Sequence, residues 1–222
     1  MNIRANATLA NSIYTESEER LHVATHGIGV VLALVGLGWM LTLSIGAGDP
    51  WRIVASAIYG TTLILVFLAS TVYHLFSQTR FKALLKLLDH CAIYLFIAGT
   101  YTPFLLVSLR GATGWWLFAI IWSLAVAGVV MKLWFRHRFP RLALASYVAM
   151  GWLVVAAGPA VANAVGPQGV AWLLAGGVVY TVGALIYAAK KIAYHHAAWH
   201  AFVLIGGVCH FNAVALYVLP IA

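Results

Sequence analysis

The chain has 222 residues, of which 64% are hydrophobic and only 8% are charged. A soluble surface carries about a quarter charged residues, so a water-soluble domain is excluded and a polytopic membrane protein is expected. Thirteen Lys and Arg against five Asp and Glu give a net charge of +8. Because the basic residues sit between long apolar runs, they point to topology and anionic lipid headgroups, with no nucleic-acid partner implied.

Residues 1–20, MNIRANATLANSIYTESEER, read as a polar cytoplasmic tail without the apolar segment of a signal peptide. The first hydrophobic run is therefore expected to act as the insertion signal. A helix needs about 20 apolar residues to cross the hydrocarbon, and residues 21–222 hold seven such runs. They extend from Leu21 to Ile45, Ile53 to Phe76, Leu84 to Leu109, Gly114 to Trp134, Leu142 to Val161, Val170 to Ala189 and His195 to Leu219. The expected fold is an all-α integral membrane domain of seven transmembrane helices. Pro103 in the third run and Pro159 near the end of the fifth are expected kinks, which lipid tolerates because neighbouring helices re-satisfy freed backbone groups. Gly176 and Gly177 read as close helix packing. Cys91 and Cys209, isolated in apolar stretches, read as small core residues and not as a disulfide framework.

The basic residues alternate from side to side. Eleven of the thirteen fall in the tail (Arg4, Arg20) and in the second–third (Arg80, Lys82, Lys86), fourth–fifth (Lys132, Arg136, Arg138, Arg141) and sixth–seventh (Lys190, Lys191) links. Only Arg52 and Arg110 remain for the other face. The positive-inside rule then puts the N-terminus in the cytoplasm and, with seven crossings, the C-terminus outside. Trp51, Trp115, Trp116 and Trp172 gather at outer ends and Trp134 at an inner end, as interface anchors or as apolar packing.

Nine histidines in so apolar a chain require an account, since ionisable groups within spans are costly and mark function by default. At a rise of about 1.5 Å per residue, His74 lies roughly 9 Å from Arg80, Asp89 roughly 5 Å from Lys86, and His196 and His200 roughly 8 and 14 Å from Lys191. Three helices thus place polar groups in one shallow layer near the cytoplasmic face, with Asp89 the one acidic residue inside the expected spans. His196 and His200, at i and i+4, share a helix face, the spacing by which helical histidine pairs bind zinc. His74 as a third ligand leaves a fourth position open, as in catalytic zinc sites. Asp89 would orient or deprotonate a water there, and Ser70, one turn before His74, would add a hydrogen bond.

The spacing leaves alternatives open. His22 and His26 form a rival i, i+4 pair on the first helix, and spacing does not choose between the pairs. His90 points about 100° away from Asp89. His137 and His195 read as solvated near the basic links, and His210 lies too far along the seventh helix to join the layer.

Four segments carry a resemblance: EERLHVATHGIG (Glu18 to Gly29), STVYH (Ser70 to His74), KLLDHCAIYLFIAGTYTPF (Lys86 to Phe104) and HAAWHAFVLIGGVCHF (His196 to Phe211). In these the sequence resembles the hemolysin III proteins, the bacterial branch of the progestin and adiponectin receptor (PAQR) family. The resemblance implies zinc near the cytoplasmic face on His74, His196 and His200, with Ser70 and Asp89 matching the family's serine and aspartate. It favours the seventh-helix pair and leaves His22 and His26 without a role. It further implies residence in the bacterial plasma membrane and lipids as partners, with no folded protein ligand expected. The wider grouping includes membrane ceramidases, so a zinc-dependent hydrolase of lipid amides or esters is one expectation. The other is a non-enzymatic lipid-state sensor or cytolytic protein in which zinc only ties helices together.

Overall fold

The computed structural model describes residues 14–136 and 138–220, and every regular element among them is helical. The expected tail as far as residue 13, and His137, lie outside the described residues. The elements are α1 (Glu16–Gly46), α2 (Pro50–Leu75), α3 (Lys82–Pro103) continuing into a π-helical turn (Phe104–Ser108), α4 (Ala112–Phe135), α5 (Pro140–Trp152) with a 3-10 turn (Leu153–Ala157), α6 (Gly158–Ala188) and α7 (His195–Tyr217). Six helical stretches are long and apolar enough to cross a membrane, the fifth being the interrupted 49-residue run Pro140–Ala188.

Local chemistry sets the boundaries. Thr15 caps α1 in a capping box, its hydroxyl accepting from the Glu18 amide while the Glu18 carboxylate accepts from the Thr15 amide at 2.9 Å. The first turn then carries Glu16, Glu18 and Glu19, favourable beside the positive end of the helix dipole. The helix therefore starts five residues before the expected Leu21. Asp49 accepts from the Trp51 amide at 3.0 Å and Pro50 opens α2, a pairing of N-cap oxygen and pre-set φ.

Pro103 is an expected kink that the structure bears out: it has no N–H to donate, and the helix widens after it into a turn closed by Leu109 N–H to the Phe104 carbonyl at 2.8 Å. Pro159 is a correction. The break there is the 3-10 turn before it, and Pro159 itself sits in the first turn of α6, where a missing donor is harmless. Gly166, between the expected fifth and sixth spans, has φ 69° and ψ 175° and is followed by Pro167.

The bundle is apolar outside and sets a minority of polar groups within its apolar core. Trp116 and Trp134 are 72% and 80% exposed, whereas Ser44 and Ser56 are fully buried and share a 2.8 Å hydrogen bond between α1 and α2. Consecutive helices pack as neighbours, and α7 returns against α1 to close the ring. On α1 the buried face runs His22, His26, Gly29, Ala33, Gly36, Met40, Ser44, a stripe spaced by threes and fours. Small residues in it let α2 and α7 approach. A Cβ on Gly29 would lie 2.5 Å from the buried Phe67 ring, so this position requires glycine.

Candidate metal centre

At the end of the bundle where α1 and α7 begin and α2 ends, the structure gathers histidines from three helices. His22, His26, His74, His196 and His200 are all buried, and His22, His74 and His200 are at most 2% exposed. The α7 pair is turned inward together, as the i, i+4 spacing requires. His200 Nε2 lies 3.1 Å from His196 Nε2, which lies 3.3 Å from His74 Nε2. His22 and His26 do not form a separate site. The His22 ring centroid is 4.3 Å from His74 and 4.7 Å from His196, and His26 stacks on His200 at 3.7 Å.

The most consequential residue that sequence reasoning missed is Glu19. Because α1 starts at Glu16, three glutamates lie within it, and Glu19 among them is buried at 8% exposure, which corrects the expectation that Asp89 is alone. Its Oε2 receives the Nδ1–H of His74 at 2.6 Å and lies 3.5 Å from His22 Nδ1. The available signal was the spacing of Glu19 and His22, three residues apart and so on one helix face. Tyr14 closes the cluster from the chain's entry side, stacked on His196 at 4.8 Å and edge-on to His22 at 5.0 Å.

The donor set fits a metal ion. His22, His74 and His196 offer ligand atoms within 4.8 Å of one another. Two nitrogens on one tetrahedral zinc at about 2.0–2.1 Å are held roughly 3.3 Å apart, close to the two Nε2 separations among His74, His196 and His200. Hydrogen bonding through Nδ1, as His74 makes to Glu19, leaves Nε2 with a free lone pair, the tautomer that a ligand needs.

Asp89 and Ser70 lie beside the cluster. Ser70 is the polar neighbour of the Asp89 carboxylate, and both line a cavity of about 130 Å³ together with His26, His196 and His200. That cavity runs on between α3, α5, α6 and α7 past Tyr101, Trp152, Tyr180 and His210. A second cavity of about 220 Å³, reaching Leu117 and Ile120 of α4, shares Tyr101, Trp152 and His210 with it. His210 thus stands far from the cluster, as expected, with Nδ1–H donating to the Gly206 carbonyl at 3.0 Å. His90 donates to the Lys86 carbonyl at 2.6 Å, with the same Nδ1 3.6 Å from the Asp89 carboxylate, so the two are closer than their expected divergence, and half-buried His195 lies at the start of α7 with Nδ1 3.2 Å from the Ile192 carbonyl.

The fold and this site define a multi-pass membrane protein with a buried histidine cluster able to hold a metal ion. The profile of haemolysin-III-related proteins matches residues 14–211, and the chain belongs to that family. It is 43% identical over 206 residues to Hemolysin-3 of Bacillus cereus, covering 92% of this chain and 94% of that one. Against the Hemolysin-3 homolog of Bacillus subtilis (strain 168) it is 40% identical over 209 residues, 94% and 98% of the two chains. The human monocyte to macrophage differentiation factor is 29% identical over 208 residues, 90% of this chain and 84% of that one. Family and helices together make this a multi-pass protein of the bacterial plasma membrane.

Proposed function

We propose that this protein is a zinc-dependent hydrolase of membrane lipid amides or esters, with His74, His196 and His200 as ligands and Asp89 as the proton-transferring residue. The observation that carries the reading is the joining of the buried Nε2 cluster to an apolar cavity at the point where Asp89 and Ser70 stand. An all-nitrogen donor set favours zinc over magnesium or calcium, which prefer oxygen. Zinc at these ligands would lower the pKa of a water to about 7 and polarise the scissile carbonyl.

The chain's own residues supply the rest. Asp89 takes up a proton from the attacking water and returns it to the leaving amine or alcohol. Ser70, the polar neighbour of that carboxylate, helps to aim it. The two connected cavities receive the acyl chain of a membrane lipid, excluding water from all but the reacting end. Seven crossings, with the N-terminus cytoplasmic and the C-terminus outside, set the site near the cytoplasmic leaflet. The interrupted run supports two crossings, since 49 helical residues would extend roughly 74 Å, more than twice the hydrocarbon thickness.

Elemental analysis of purified protein is expected to give about one zinc per chain on the three-histidine site, lost in His196→Ala/His200→Ala. Assay against ceramides and other lipid amides, with and without chelator, is expected to show zinc-dependent turnover. His74→Ala should lose metal and activity together. Asp89→Asn should keep zinc but slow turnover by about 10²–10⁴-fold, the usual contribution of a general acid–base. Folded, zinc-loaded protein that cleaves none of these lipids would instead support the sensor or cytolytic reading.

A further inference from the structure

Helix α1 carries Glu19, His22 and His26 into the cluster, and the three-histidine scheme uses none of them as ligands. His22 is fully buried, and its Nε2 has no hydrogen-bond partner. Its ring stands 4.3 Å from His74, 4.7 Å from His196 and 4.8 Å from His200, measured between centroids, so it faces all three proposed ligands. A buried ring nitrogen left unsatisfied is costly, because it has given up its hydrogen bonds to water without replacement. Such a cost, incurred beside three other ring nitrogens, points to a ligand shared with them.

Glu19 explains how His22 is presented. One carboxylate oxygen serves both Nδ1 atoms, at 2.6 Å for His74 and 3.5 Å for His22. The short contact is a strong charge-assisted hydrogen bond and the long one is at the limit of bonding distance. Glu19 therefore fixes His74 firmly and holds His22 loosely, and a ring nitrogen of His22 stays within 4.8 Å of ligand atoms of His74 and His196.

We propose that His22 is a displaceable fourth nitrogen ligand, aimed by the positioning residue Glu19, which caps the metal centre until an incoming ligand takes its place. The proposal rests on the reading above that His74, His196 and His200 hold a metal ion. It assigns a role to the α1 histidine motif that the three-histidine scheme leaves out. It also makes access to the fourth position depend on α1, the helix that supplies Glu19 and His26 beside the ligands.

The test uses full-length protein in detergent, loaded with cobalt as a spectroscopic substitute for zinc and titrated with azide. Wild type is expected to show a closed, four-nitrogen absorption spectrum that azide hardly changes, whereas His22→Ala admits azide with a clear spectral shift. Metal affinity, measured by chelator competition, should fall on the order of tenfold or more in His22→Ala and 10–100-fold in Glu19→Gln, the range for removal of a ligand's supporting partner. If His22→Ala does not fold, His22→Asn, which keeps a donor toward Glu19, answers the same question. Equal azide binding and equal metal affinity in wild type and variant would overturn the cap and leave the three-histidine reading intact. Wild type that takes up no metal would overturn both.

Discussion

Single residues couple the packing of this bundle to its centre. Gly29 admits the Phe67 ring, Phe67 meets His26 edge-on with centroids 5.2 Å apart, and His26 stacks on His200 at 3.7 Å. Phe67 is 2% exposed and cannot swing clear. Gly29→Ala is accordingly expected to cost about 1–3 kcal/mol, the range for overpacking a filled core, and to weaken metal binding through the displaced His26. Thermal denaturation in detergent and chelator competition measure the two effects. Loss of stability without any change in metal affinity would break the proposed chain from Gly29 to His200, and Gly29→Ala/Phe67→Leu should recover most of both.

Among the helices, the long run Pro140–Ala188 depends most on one backbone position. Gly166 adopts φ 69° and ψ 175°, a region open almost only to glycine, and a Cβ built there meets nothing within 4 Å. The cost of Gly166→Ala is therefore conformational and not steric. It is expected to be about 1–3 kcal/mol, read as a lowered melting temperature. Equal melting of wild type and Gly166→Ala would show that the break does not need this dihedral. Because the break divides the run into two proposed crossings, reporter fusions at Ala222 and in the link near His137 are expected to report opposite sides of the membrane. A common side would remove the proposed seven-crossing topology.

Across the whole molecule, the end opposite the histidines is tied by ions. Arg110 donates to Asp49 at 2.5 Å, Arg52 lies 3.6 Å from the same carboxylate, and Arg52 also donates to the Leu219 carbonyl. The α1–α2 link, α2, the α3–α4 link and the end of α7 are thereby joined. Partial burial pushes the Asp49 carboxyl up, but hydrogen bonds from Arg110 and the Trp51 amide, with the charges of Arg110 and Arg52, outweigh it. They hold the carboxyl below the usual carboxylate range. Its contribution to stability is thus complete above the unfolded value of about 3.9 and is lost as pH falls through the lower folded value. Acid melting curves of wild type should fall more steeply below about pH 4 than those of Asp49→Asn. Parallel curves would show that the pair contributes nothing, as many exposed ion pairs do.

Composition, apolar run length and the spacing of His196 and His200 determined the membrane class, the helical fold and the inward-turned pair, because each depends only on hydrophobic free energy and the 3.6-residue turn. The same local rules made Pro103 a legible kink. Spacing could not choose between the histidine pairs, since i and i+4 describes both equally well. Only the closing of α1 against α2 and α7 decided that they meet in one cluster. Glu19 was hidden for a related reason: the apolar run marks where lipid begins, whereas the capping box at Thr15 and Glu18 starts the helix earlier and carries Glu19 inside. Its partnership with His74, 55 residues away, is a tertiary contact that no local pattern encodes.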